Sequence, residues 1–238
     1  IFNLKNRNIV ITGSAGVLGS QYALTLSQNG ANVILLDVMN ENKDLERKIH
    51  SKFGTKVKSF YVDISKENDV KNVRKEIISE YGKIDGLINN AAYTNVTAIK
   101  NVEKQQTSFE NFPTEMWKKS LSVNLDGVFY CCREFGKEMS KRKKGSIVNI
   151  ASIYGIAGVD QRIYGESKIN SPISYTAAKG AIISMTRYLA AYWHKKNVRV
   201  NTLTLGGVED KRYQKKLFIG NYSKKTMLGR MAQKDEYN

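Results

Sequence analysis

Six short apolar runs punctuate this chain, and longer stretches of helical periodicity stand between them. Two of the runs are Asn8–Thr12 and Asn32–Asp37, and the others cover 57–62, 84–88, 146–150 and 198–203. Helical patterns follow the first run to about Asn29, then cover 41–53, 66–81, 114–140 and 174–195. Short apolar runs without polar alternation read as strands buried on both faces. Strand, helix, strand in repetition demands a parallel sheet, because parallel neighbours need a long crossover. The expected fold is α/β: a three-layer, Rossmann-like, doubly wound parallel sheet, formed as one domain over residues 1–238.

Such sheets bind ligands beyond the carboxyl ends of their strands. Gly13, Asp37, Asp63, Asn89, Ser152 and Gly206 all fall after expected strands, so one rim collects glycine and polar groups. The first turn reads Gly13-Ser14-Ala15-Gly16-Val17-Leu18-Gly19 between a strand and a helix. In that context Gly13 permits a tight turn, Gly16 lets backbone approach a diphosphate, and Gly19 lets the helix pack closely on the strand. Amides at the helix start would donate to the phosphates. Asp37 closes the second strand 18 residues after Gly19. A carboxylate there grips ribose hydroxyls and repels a 2′-phosphate, which favours NAD over NADP as cofactor.

A second stretch carries chemistry. Tyr175 and Lys179 stand four residues apart near a helix start and so share a face. A phenol titrates near pH ~10 and is a poor base at neutral pH. A neighbouring ammonium is expected to lower that value, so that Tyr175 exchanges a proton with a substrate hydroxyl.

Composition narrows the alternatives. No apolar run reaches the ~18 residues that a membrane span requires. Cys131 and Cys132 are adjacent, which suits neither a disulfide framework nor a metal site, and His50 and His194 are isolated. No metal and a cytoplasmic location are expected. The formal charge is +16, but the basic residues are scattered, so no nucleic-acid partner is expected. The densest basic run, Lys141-Arg142-Lys143-Lys144, falls where cations complement a helix C-terminus. Phe129 and Tyr188 are expected in the helix–sheet core with Tyr22, Ile77, Phe135 and Trp193.

With these motifs together, the whole chain resembles the short-chain dehydrogenase/reductase family. The matching segments are Thr12-Gly13 to Gly19, Asp63, Asn89-Asn90-Ala91-Ala92, Asn124 in Val-Asn-Leu-Asp-Gly, Ser152 in Ile-Val-Asn-Ile-Ala-Ser, and Tyr175 with Lys179. The resemblance implies an oxidoreductase in which Tyr175 is the acid/base. Lys179 would tune it and hold the nicotinamide ribose, Ser152 would orient the substrate oxygen, and Asn124 would hold a relay water. It places Gly13 to Gly19 and Asp37 on the cofactor, Asp63 and Ile64 at the adenine, Asn89 and Ala91 beside it, and Gly206 and Val208 near the nicotinamide. It also implies a homodimer or homotetramer, paired through the helix over 114–140 and the helix after Tyr175.

Four departures stand out. The turn reads TGxxGxxG, as in epimerase-like relatives, where TGxxxGxG is usual. The customary Pro-Gly after the sixth strand is Leu205-Gly206, and Asp210 stands where a carboxamide-binding threonine is common. The chain ends at Asn238, where the family continues through a helix and a last strand, so that strand is expected to be absent and a sheet edge exposed. Finally, Ser152 and Tyr175 are 23 residues apart, so an insertion lies between them.

The insertion resembles that of bacterial dehydrogenases of flagellin-glycan and nonulosonic-acid sugar pathways. Its polar residues, Tyr154, Gln161, Arg162, Tyr164 and Glu166, suit a sugar derivative. Residues 211–225 form a basic, lid-like stretch in which Arg212 is a second candidate for an anionic substrate, and 95–112 form a polar excursion over the rim. The expected activity is hydride transfer between a nicotinamide cofactor and a secondary alcohol or ketone. The alternatives are a nucleotide-sugar epimerase or dehydratase with recycled NAD, a 3-oxoacyl-thioester reductase, and a binding protein without turnover.

Overall fold

The computed structural model describes residues 3–39, 42–94, 108–167, 170–212 and 214–238, without the side chain of Ser167. Its sheet has the strands β1 (Asn8–Thr12), β2 (Asn32–Asp37), β3 (Val57–Tyr61), β4 (Gly86–Asn89), β5 (Gly145–Ser152) and β6 (Val198–Leu205), all parallel, in the order β3-β2-β1-β4-β5-β6. The helices are α1 (Val17–Gln28), α2 (Asn42–Phe53), α3 (Glu67–Tyr81), α4 (Thr114–Leu121), α5 (Val128–Lys141), α6 (Ile173–Tyr192) and α7 (Lys216–Ser223).

Successive side chains of a strand point to opposite faces. Val10, Ile34 and Leu36 accordingly join one buried cluster with Val73, Ile77, Phe135, Met139 and Ile182, beneath α3, α5 and α6. Ile9, Ile11, Val33 and Leu35 join another with Tyr22, Ala23, Leu45 and Ile49, beneath α1 and α2. Burial on both faces explains why the strands read as continuous apolar runs. Cys131 and Cys132 lie in the first cluster as free, fully buried thiols, and burial pushes Cys132 up to about 12. Strand order reverses between β1 and β4, where Thr12 stands beside Asn89, so the crevice of the fold opens there. β6 lies at the sheet edge.

Two expectations change. The long helix over 114–141 is interrupted by a π-helical turn, Ser122–Gly127, that contains Asn124. Phe129 and Tyr188 are not core residues. They are 44% and 66% exposed on α5 and α6, and Tyr188 stacks on the equally exposed Tyr192 at 5.9 Å. Among the described residues, no helix is long and apolar enough to cross a membrane.

Candidate active site

The glycine turn is built by exclusion. Gly13 has φ +63°, and a Cβ there would come within 2.6 Å of the Ala91 Cα. At Gly19 a Cβ would lie 2.1 Å from the Gly13 carbonyl oxygen. No side chain can be added at either position without moving backbone. Thr12 and Asn90 fix the turn from the neighbouring strand end. The Thr12 hydroxyl accepts the amides of Asn90 and Ala91 at 3.1 Å, and Asn90 Nδ2 donates to the Gly13 carbonyl at 2.9 Å. Helix α1 starts at Gly16 with no side-chain cap, so its first amides have no partner within the helix. A cleft of about 410 Å³ separates this turn from residues 209–212 and 233–234.

Asp37 lies beside the turn, accepting the amide of Ala15 at 2.9 Å and that of Val38 at 2.8 Å. Ser14 turns inward, with its hydroxyl on Asn42 Oδ1 at 2.7 Å. The Asp63 carboxylate accepts the Ser65 hydroxyl and amide. Burial opposes its ionisation, but those two bonds prevail and hold it below the ordinary carboxylate range. Ile64 is buried and packs where a side chain at Gly127 would collide. These residues offer donors, space and a carboxylate where a dinucleotide would need them, and the site fits that cofactor class.

The chemical centre lies at the ends of β5 and α6. Ser152 is the last residue of β5 and Tyr175 stands in the first turn of α6. Their hydroxyls are hydrogen-bonded to one another, and Ser152 Oγ also accepts the amide of Tyr154 at 3.2 Å. Gly155 lets this loop approach α6, since a Cβ there would lie 2.7 Å from the Lys179 backbone. Lys179 is 3% exposed, donates to the Ile150 carbonyl at 2.6 Å, and has its nitrogen 5.6 Å from the centre of the Tyr175 ring.

This geometry corrects the expected tuning. The Lys179 ammonium lies over the ring, and burial dominates both groups. It pushes Tyr175 above its ordinary value, opposed by the Ser152 bond, and lowers Lys179 to about 8.

Other residues are placed differently from their expected roles. The Asn124 carboxamide is committed to the main chain of Tyr93, accepting its amide at 2.7 Å and donating to its carbonyl at 2.9 Å. It therefore anchors the segment after β4, and only its backbone is left for a water. The Asn89 side chain points into the sheet interior, donating to Asn149 Oδ1 at 2.8 Å. Arg162 is 82% exposed and its fork is closed on Asp160 at 2.8 Å by both nitrogens. Arg212 makes the same bidentate bond to Asp210 and lines the cleft beside the glycine turn, on the cofactor side.

Tyr154 and Tyr164 do come together, packed around Ile163, Tyr222 and Met231 with Phe218. Tyr222, which sequence reasoning passed over, accepts the Gly207 amide at 2.6 Å. The sequence signal was its spacing of four from Phe218 on one helix. Val208 pairs with Ala232 in an isolated bridge, and a Cβ at Gly206 would meet the Tyr237 hydroxyl at 3.5 Å. The polar excursion expected over 95–112 falls largely outside the described residues.

The family model for short chain dehydrogenases matches residues 7–218. An NAD-dependent glycerol dehydrogenase of Listeria innocua is 33% identical over 203 residues, which are 85% of this chain and 71% of that protein. A 3-oxoacyl-[acyl-carrier-protein] reductase of Thermotoga maritima is 29% identical over 96% of this chain and 83% of its own length. Among solved structures, a gluconate 5-dehydrogenase from Burkholderia cenocepacia, crystallised with NADP and tartrate, superposes with a TM-score of 0.85 at 26% identity, covering 99% of this chain and 86% of that one.

Proposed function

This chain belongs to the short-chain dehydrogenase family and is an oxidoreductase, and from that premise we propose that it moves a hydride between NAD(H) and a secondary alcohol or ketone of a sugar derivative or polyol. One observation carries the reading: the hydrogen-bonded hydroxyls of Ser152 and Tyr175, with Lys179 buried behind the Tyr175 ring. Two converging hydroxyls hold a substrate oxygen. Ser152 orients it, and Tyr175 donates a proton to it in reduction or accepts one in oxidation. The nicotinamide cofactor, when bound, supplies the hydride or accepts it. Among the described residues, the Ile150 carbonyl is the one acceptor bonded to Lys179 Nζ, so its other two N–H donors are available to a ribose.

Gly13 to Gly19 and the first amides of α1 would carry the diphosphate, with Arg212 and Lys234 across the cleft. Asp37 would take the adenosine ribose, which supports NAD over NADP. Asp63 and Ile64 would flank the adenine, and Gly206 and Val208 the nicotinamide side. The names of the glycerol and gluconate dehydrogenases favour a polyhydroxylated substrate, consistent with the tyrosines packed over the site. The Thermotoga maritima reductase favours a second reading, reduction of a 3-oxoacyl thioester.

The protein would act in the cytoplasm as one dinucleotide-binding domain. The exposed Phe129, Tyr188 and Tyr192 support pairing of α5 and α6 with their copies in a homodimer or homotetramer. Absorbance of NADH with polyols, sugar acids, sugar phosphates and 3-oxoacyl thioesters tests the proposal. It fails if the acyl thioesters alone are turned over.

A further inference from the structure

The insertion between Ser152 and Tyr175 does not lie over the sheet by itself. It packs against α7. Tyr164 and Phe218 rings meet at 5.3 Å, Asn221 Nδ2 donates to the Ile163 carbonyl at 3.4 Å, and Lys225 pairs with Asp160 at 2.9 Å. The two segments share a buried cluster, separate from the two clusters of the sheet. They form one cap.

One side chain of this cap reaches both halves of the site. Tyr222, on α7, is 6% exposed. Its hydroxyl accepts the Gly207 amide at 2.6 Å and is hydrogen-bonded to the Tyr154 hydroxyl. Gly207 belongs to the loop after β6, and a Cβ there would lie 2.5 Å from the Tyr222 ring. Tyr154 leads to the chemistry, because its amide donates to Ser152 Oγ, and Ser152 is bonded to Tyr175. A chain of polar contacts therefore runs from Tyr175 through Ser152, Tyr154 and Tyr222 to Gly207. Ring packing alone would not need the two hydroxyls, and burying them is unfavourable unless they are paired.

We propose that Tyr222 is a positioning residue whose hydroxyl ties the cap to the Ser152–Tyr175 pair through Tyr154 and to the loop after β6 through Gly207, so that both halves of the site are set together when the cap is closed. The proposal rests on the oxidoreductase reading of this site. It predicts that the two hydroxyls act as one unit.

The experiment compares wild type, Tyr222→Phe, Tyr154→Phe and the double variant. With a substrate found by the absorbance panel, each single variant should lose about tenfold in kcat, the scale of one hydrogen bond in a barrier. The double variant should be no worse than the poorer single one. A residue that only packs the cap would lower Tm and leave kcat unchanged well below Tm. A second readout needs no substrate. Hydrogen exchange of the protein without added cofactor should quicken in Tyr222→Phe at Gly207 and also at the Tyr154 amide. The inference is overturned if exchange at both amides matches wild type, or if kcat falls less than twofold, or if the single losses multiply in the double variant. A wild type that turns over nothing in the panel would count against the proposed substrate class alone, and the exchange data would still decide the role of Tyr222.

Discussion

Replacing Lys179 by Met should stabilise the protein at neutral pH while removing its activity. The Lys179 ammonium is 3% exposed, and burial lowers its pKa from the ordinary 10.5 to about 8. Below pH 8 the folded and unfolded chains both carry the proton, and the fold bears the full penalty of a buried charge. Between pH 8 and 10.5 the folded chain has released the proton and the unfolded chain has not, so stability rises with pH. Above 10.5 the penalty is gone. At ~1.4 kcal/mol per pKa unit, the penalty at neutral pH is about 3 kcal/mol. Met removes it with similar volume, but it leaves the Ile150 carbonyl without the donor now 2.6 Å away, a loss of about 1–3 kcal/mol. The net effect is zero to about 2 kcal/mol in favour of Lys179→Met, or a rise in Tm of up to ~8 °C for a chain of this size. The sharper signature is the slope. Thermal denaturation without added cofactor, from pH 7 to 10, should show wild type gaining on the variant by about 3 kcal/mol. Parallel pH profiles for the two proteins would refute the reasoning.

Further outcomes follow from the same geometry. Tyr175→Phe should bind NADH as wild type does and lose at least about a thousandfold in kcat, the upper range for a general acid; activity within tenfold of wild type would remove Tyr175 from that role. Calorimetry should find NAD(H) bound more tightly than NADP(H), and Asp37→Ala should narrow the gap; equal affinities in wild type would overturn the assignment of Asp37. Gly19→Ala should abolish cofactor binding, because its Cβ falls 2.1 Å from the Gly13 carbonyl oxygen, and calorimetry would detect retained binding. Light scattering should show a dimer or tetramer in wild type and a smaller species for Tyr188→Glu, which places charge among the exposed rings of α6.

The strands were legible because each is buried on both faces. Asn8–Thr12 and Asn32–Asp37 match their apolar runs residue for residue, and the rim glycines and acids follow from the strand ends. The π-helical turn at Asn124 was not legible. A single widened turn leaves the apolar spacing of α4 and α5 intact, and its cause lies in Tyr93, whose main chain Asn124 holds from another segment. The two arginines were misread for a local reason that the sequence does contain. Asp160-Gln-Arg162 and Asp210-Lys-Arg212 each place an acid two residues before the guanidinium, and each fork closes on it. The exposed Phe129 and Tyr188 were misread because aromatic residues on amphipathic helices look alike whether they face the sheet or another subunit.

The spacing of Tyr175 and Lys179 was also legible, but its consequence was not. Four residues on a helix say that two side chains share a face, and they do not say which atoms meet. Here Nζ sits over the ring and bonds the Ile150 carbonyl, so burial decides both titrations. Tyr175 moves up and Lys179 moves down, to about 8, so near neutral pH both keep their protons. Left to these groups, Tyr175 is a proton donor and the site is disposed to reduce a ketone. To work as a base in alcohol oxidation it needs positive charge added near its ring, and an oxidised nicotinamide carries one. Reduction should therefore persist at lower pH than oxidation, which should rise steeply with pH. Initial rates in both directions across pH 6 to 10 measure the difference, and superimposable profiles would show that burial does not set the direction.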